Sequence, residues 1–182
     1  PAVITFAPHP REYFRPSDPP FLLQNKVSKD GCLEALGVQI IIHIQFDKTL
    51  QELSPEAFVK TVLVEAFSVR HLFAGSDFAF GKGRAGSMTS LAEMGRSFGL
   101  TVQPVVIYKD TGQVPISSSR IRSALQAGQV ELAAEMLGRD PSVYGQVVIG
   151  DPRGRQLDFP NANLELANSL KHAFGVYALP AK

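Results

Sequence analysis

One cysteine in 182 residues, Cys32, excludes any disulfide within the chain and fits a reducing compartment, with the thiol expected inside a helix as a buried structural group. Neither charge is in excess. The 18 Lys and Arg stand against 17 Asp and Glu, a net charge of +1, so the sequence has no broad basic surface for nucleic acid and no polybasic patch for a membrane. Any anion site must therefore be local. No apolar run approaches the ~20 residues of a membrane helix, and no charged leader precedes a hydrophobic segment at the front of the chain. These absences lead to the expectation of a cytoplasmic protein without a membrane or nucleic-acid partner, and they are compatible with a homo-oligomer. What is present is a globular composition, 45% hydrophobic and 19% charged, enough for one sizeable core and the start of a second.

Residues 2–6, Ala-Val-Ile-Thr-Phe, form an apolar, β-branched run that reads as a buried strand entered from something upstream. Residues 7–16 hold three prolines and read as a loop off the strand's carboxyl end, the place where open α/β sheets bind ligands; His9 and Arg11 lie in it. Residues 26–36 predict a helix stopped by Gly37, and residues 38–46 a central strand with His43 as a hydrogen-bonded core residue. Ser54, Pro55 and Glu56 are a cap, a first-turn proline and a first-turn acid ahead of an amphipathic helix reaching Phe67. Residues 69–74 return as a strand. Strand and helix alternate as in a Rossmann-like, doubly wound parallel sheet. Further on, residues 100–108 predict an edge strand interrupted by Pro104, and residues 129–137 a short helix ended by Gly138.

Two stretches carry possible chemistry. Residues 75–86, Gly-Ser-Asp-Phe-Ala-Phe-Gly-Lys-Gly-Arg-Ala-Gly, link a strand to a helix beginning near Ser87. Their glycines admit close approach of a ligand and Lys82 and Arg84 bring positive charge, yet they match neither the Walker loop nor the dinucleotide fingerprint. Residues 116–122, Ile-Ser-Ser-Ser-Arg-Ile-Arg, place three candidate caps and two cations at a helix start, where free backbone N–H groups attract anions. Arg120 and Arg122 are roughly 200° apart around a helix, so only one can be the main phosphate contact. The competing reading of the same residues is a capped helix with solvated arginines.

Residues 5–12 (Thr-Phe-Ala-Pro-His-Pro-Arg-Glu), 75–84 and 116–122 resemble, in order and spacing, the bacterial bifunctional riboflavin kinase/FAD synthetase family. Residues 137–139 (Leu-Gly-Arg), 145–151, 154–164 and 175–178 are similar to the opening of that family's kinase module. The resemblance implies an FMN adenylyltransferase domain of nucleotidyltransferase type over residues 1–139. It implies the start of a small β-barrel riboflavin kinase domain over residues 143–182. The implied reaction transfers AMP from ATP to FMN with release of pyrophosphate, alongside ATP- and Mg²⁺-dependent phosphorylation of riboflavin. On this resemblance Ser118, Ser119 and Arg122 hold the phosphates, Arg122 rather than Arg120 because the family's Ser-Thr-x-x-Arg spacing falls on it. Contacts to flavin or nucleotide are implied for His9, Arg11, Asp77, Phe78, Phe80, Gly81, Arg84, Ser117 and Arg120, and a metal contact for Asn163.

The sequence departs from the family in two substitutions and two absences. Asn161 stands where the family has threonine and Asp158 where it has glycine, which weighs against kinase competence. The His-x-Gly-His signature, expected before Ala2, is not in these residues, and the chain stops at Lys182 before the kinase general base. The expectation is a fragment of a bifunctional enzyme. Two other readings are a related adenylyltransferase acting on a pantetheine or nicotinate substrate, which the Pro-His-Pro loop and the kinase-like tail oppose, and a non-catalytic flavin or nucleotide binder.

Overall fold

In a computed structural model, which describes residues 1–148, 163–166 and 168–178, the alternation of strand and helix read from the sequence is realised as an α/β chain with parallel ladders. The strand β1 (Ala2–Ala7) pairs with β2 (Ile40–Gln45). Backbone hydrogen bonds from Gln39 N to Pro1 O and from Phe46 N to Ala7 O, both 3.0 Å, bracket that ladder in the parallel sense. The strand β3 (His71–Gly75) runs parallel to β4 (Thr101–Val105), from His71 opposite Thr101 to Gly75 opposite Val105. Pro104 lies inside β4 opposite Ala74; a residue without an N–H is tolerated because β3 is the only strand paired with β4 among the described residues. The ladders form separate two-stranded pairs, with antiparallel β5 (Gln146–Val148) and β6 (Asn163–Glu165) the third.

The proline-rich segment after β1 is a loop in the sequence reading, but it contains a short helix, α1 (Pro10–Phe14). Pro10 sits in the first turn, where its missing N–H is no loss, and His9 and Glu12 close a capping box around that turn. The helices α2 (Lys26–Ala35) and α3 (Lys48–Gln51) follow. Ser54 caps α4 (Pro55–Ala57), accepting from Ala57 N at 3.1 Å. The chain then runs on as a π-helix over Phe58–Ala66. The Thr61 hydroxyl donates to the Ala57 carbonyl at 2.7 Å, occupying the acceptor an ordinary α-turn would use at that point. Among the described residues the remaining α-helices are α5 (Met88–Ser97), α6 (Ser118–Gln126) and α7 (Val130–Leu137), the last closed by Gly138 in the left-handed conformation.

Two compact units result, each drawn from separate parts of the chain. One comprises Ile4–Pro16 and Ile42–Pro115. Its core is Phe58, Val59, Leu63, Phe80, Leu91 and Leu100, with Val59 and Leu91 wholly buried. Gly95 lets α5 lie close to the start of β4, since a Cβ there would stand 3.0 Å from the Leu100 carbonyl oxygen. The other comprises Pro1–Val3, Ser17–Ile41 and Ile116–Lys182. Its core joins α6 and α7 through Ile121, Ala124, Leu125, Ala133 and Met136, and Leu170 packs with them. Leu170 N also donates to Leu22 O at 2.8 Å, and Ala173 N to Leu125 O at 3.0 Å.

Candidate functional site

The loop after β1 is rigidly built. His9 Nδ1 accepts a hydrogen bond from Arg11 N at 3.1 Å while His9 N donates to the Glu12 carboxylate at 3.0 Å. An accepting Nδ1 places the proton of the neutral ring on Nε2. Edge-on aromatic contacts of Phe46 with Phe6, Tyr13 and Phe14, at 5.9, 5.3 and 5.6 Å between centroids, fix α1 in place. His9 and Arg11 are both solvent-exposed on this support.

The glycine-rich loop divides into scaffold and surface. Phe80 is buried, packed on Phe58 at 5.6 Å and stacked on Phe78 at 5.5 Å with an interplanar angle of 11°. It bridges Gly86 through reciprocal backbone bonds of 3.1 and 2.9 Å. A Cβ on Gly86 would fall 2.7 Å from the Phe80 ring, which accounts for glycine there. Gly81 has φ 73° and its missing Cβ makes room for Pro55 at 2.8 Å. Lys82 anchors the loop twice, by its N–H to Leu53 O at 2.7 Å and by an ion pair from Nζ to Glu52. Phe78, Phe80 and Gly81 therefore shape the loop, whereas the side chains of Asp77 and Arg84 are exposed and able to meet a ligand.

Residues 117–122 open α6 in the second unit. Ser117 is the N-cap, its hydroxyl accepting from Arg120 N at 3.3 Å. Ser118 and Ser119 occupy the first two helical positions and are exposed. Burial of Ile121, Ala124 and Leu125 sets which face turns inward. Arg122, one position after Ile121, folds over Phe21: its Nε donates to the Phe21 carbonyl at 2.7 Å and its guanidinium carbon lies 5.1 Å from the centroid of the Phe21 ring. Sequence reasoning missed Phe21 and Glu52, and it read Pro55 only as a helix start and not as the neighbour of Gly81. For Phe21 a signal existed, an apolar Phe-Leu-Leu run directly after Pro19-Pro20 in an otherwise polar stretch.

Asn163 opens β6, half-buried opposite Val148. Among the described residues no three His, Cys, Asp or Glu are grouped as a metal site would need, and one amide oxygen does not make a magnesium site by itself. Asn161 and Asp158 lie outside the described residues. Cys32 is only half-buried and accepts from Gln24 Nε2 at 3.0 Å. Burial holds the His172 imidazole below its ordinary pKa, and it lines a small depression with Asn25, Ser28 and Tyr144. Among the described residues no helix is long and apolar enough to cross a membrane.

Comparison with known proteins bears directly on these motifs. The chain is similar to the bifunctional riboflavin kinase/FMN adenylyltransferase of Bacillus subtilis (strain 168), with 36% identity over 184 residues, covering 100% of this chain and 57% of that protein. It is 33% identical over 177 residues to the protein of the same description from Escherichia coli (strain K12), covering 97% of this chain and 56% of that one. A crystal structure described as a macrolide-efflux protein from Streptococcus pneumoniae superposes with a TM-score of 0.80 at 30% identity, over 97% of this chain and 57% of that one. The chain thus spans a little over half the length of the relatives it matches. Residues 137–182 match the riboflavin kinase family. Residues 1–120, which contain the His9 loop, the glycine-rich loop and the capped start of α6, match FAD synthetase, and it is to the FAD synthetase family that the chain belongs.

Proposed function

We propose that this chain contributes the phosphate-binding part of an FMN adenylyltransferase, which joins AMP from ATP to FMN and releases pyrophosphate. The observation that carries the reading is the start of α6, where two exposed serines follow a capping serine at a helix N-terminus and two arginines follow them. Unsatisfied N–H groups of a first turn and serine hydroxyls are donors suited to phosphate oxygens. In the reaction an oxygen of the FMN phosphate attacks the α-phosphorus of ATP, and the bond to the bridging oxygen of pyrophosphate breaks. Such a transfer needs alignment and charge neutralisation more than a nucleophilic side chain. Ser118 and Ser119 hold the phosphates, and Arg122 rather than Arg120 offsets the charge that builds up in the transition state. His9 and Arg11 on α1, and Asp77 and Arg84 on the glycine-rich loop, supply contacts to flavin or nucleotide.

Residues 1–139 form the adenylyltransferase domain in this reading and residues 143–182 the beginning of a riboflavin kinase domain, in which Asn163 gives an amide oxygen to the Mg²⁺ that accompanies ATP. A cytoplasmic location fits the single half-buried thiol. The efflux named for the pneumococcal structure is not carried over. The test is FAD formation and pyrophosphate release by the complete gene product given ATP and FMN. Turnover is expected; binding of FMN or ATP by calorimetry with no pyrophosphate release would instead make it a non-catalytic flavin-nucleotide binder.

A further inference from the structure

The tip of the glycine-rich loop holds one residue whose backbone conformation packing does not explain. Phe80 and Gly86 close the loop through their reciprocal backbone bonds, and between them Gly81, Gly83 and Arg84 all have positive φ, at 73°, 64° and 58°. That region is open to glycine, whereas a residue with a Cβ is crowded against its own backbone there. The bond that Arg84 N donates to Gly81 O at 2.9 Å is one a glycine would make as well. The Arg84 side chain is exposed, and no hydrogen bond, ion pair or ring contact holds it among the described residues. Packing and hydrogen bonding therefore gain nothing from an arginine at this position. Residues held in such conformations concentrate at ligand sites.

Lys82, the other cation of the loop, is placed differently. Its Nζ is paired with Glu52 and its N–H with Leu53 O, so its charge is already met within the protein. Arg84 leaves a positive charge at the surface, on a backbone fixed by buried Phe80 and by Pro55 lying against Gly81. A guanidinium takes phosphate oxygens in a two-pronged grip, and ATP and FMN carry their negative charge on phosphate. We infer that Arg84 binds a substrate phosphate in adenylyl transfer and is held for that contact in a conformation that lowers stability. This rests on the reading of function given above and names the chemical group that Arg84 meets.

The test uses the complete gene product, with KM for ATP and for FMN taken from FAD formation and the melting temperature followed in parallel. Arg84→Gly relieves the backbone and removes the guanidinium. Its melting temperature is expected to rise by about 1–2 °C. Its KM for one of the two substrates should rise about 10-fold or more, the size of a lost charge-assisted hydrogen bond, with a much smaller change in kcat. Arg84→Gln keeps the crowded backbone and most of the side-chain length but loses the charge, so the same KM should rise while the melting temperature stays where it was.

The two KM values separate the sources of the phosphate. A rise confined to ATP assigns Arg84 to the triphosphate, and one confined to FMN assigns it to the flavin phosphate. Unchanged KM values in both variants would overturn the inference. Equal rises in both KM values, or a lower melting temperature in Arg84→Gly, would show that the arginine serves the loop itself and would overturn it too. Should Arg84→Gly not fold, the KM values of Arg84→Gln decide alone. Absence of FAD formation by the wild-type product is a separate outcome, which would overturn the reading of function and this inference with it.

Discussion

The glycine-rich loop of residues 75–86 and the serine-rich start of α6 present the same appearance in the sequence, small residues next to cations, but the structure uses them differently. In the loop, Phe80 is core, Gly86 exists to accommodate its ring, and Gly81 exists to accommodate Pro55. At α6 the small residues are exposed, and only Ser117 has a structural duty, as the cap. Similarity in a motif therefore mixes residues kept in place by packing with residues available to a ligand. Exposure and hydrogen-bond partners separate them.

The contrast can be broken most forcefully at Arg122. Arg122→Ala should lower FAD formation by about 10²–10³-fold, the usual consequence of losing one preorganised donor to a transition state. The structure adds a stability loss of about 1–3 kcal/mol, because the carbonyl of buried Phe21 loses its charged donor; urea denaturation beside the kinetics measures both effects. If turnover is unchanged, the assignment of α6 to phosphate fails.

The loop should answer in the opposite currency, stability before activity. Gly86→Ala places a methyl group 2.7 Å from the Phe80 ring and should cost about 1–3 kcal/mol by overpacking, read from the denaturation midpoint. A fully stable Gly86→Ala protein would show that the close approach yields easily and would erase the contrast.

Within α6 the serines can be told apart. Ser117→Ala removes the cap and should cost about 1 kcal/mol of stability, whereas Ser118→Ala should leave the melting temperature within a degree or so and raise KM for ATP. Equal behaviour of the two variants would count against dividing cap from ligand contact.

The smallest effect concerns His172, whose imidazole is held below its ordinary pKa of 6.5 by burial. Between the folded and unfolded pKa values the unfolded chain binds more protons, so stability rises with pH there and declines as pH falls below about 6.5. His172→Gln should flatten the melting temperature between pH 7 and pH 5; an unchanged slope would assign the pH response to another group.

Much of the architecture was legible because it follows from local physics. The 38–46 apolar run gave β2, Gly138 gave the end of α7, and Ser54-Pro55 gave the start of α4. Two local readings went astray for identifiable reasons. The proline-rich segment after β1 hid α1, since proline counts against a helix everywhere except its first turn. The π-helix over Phe58–Ala66 leaves no mark in an amphipathic pattern, because it depends on which carbonyl each N–H reaches.

For the site, the sequence by itself determined the chemistry on offer: a local anion-binding helix start, a cation-bearing glycine loop and a stiff histidine loop, in the order that marks the family. These are properties of neighbouring residues, and neighbours in sequence fix caps, turns and donors. Only the tertiary structure decided which of those residues are spent on packing and where Arg122 is fastened. Phe80 meets Gly86 across a turn, Gly81 meets Pro55, and Arg122 meets Phe21 at a separation of 101 residues. Contacts of that kind form when the chain closes on itself, and no local pattern encodes them.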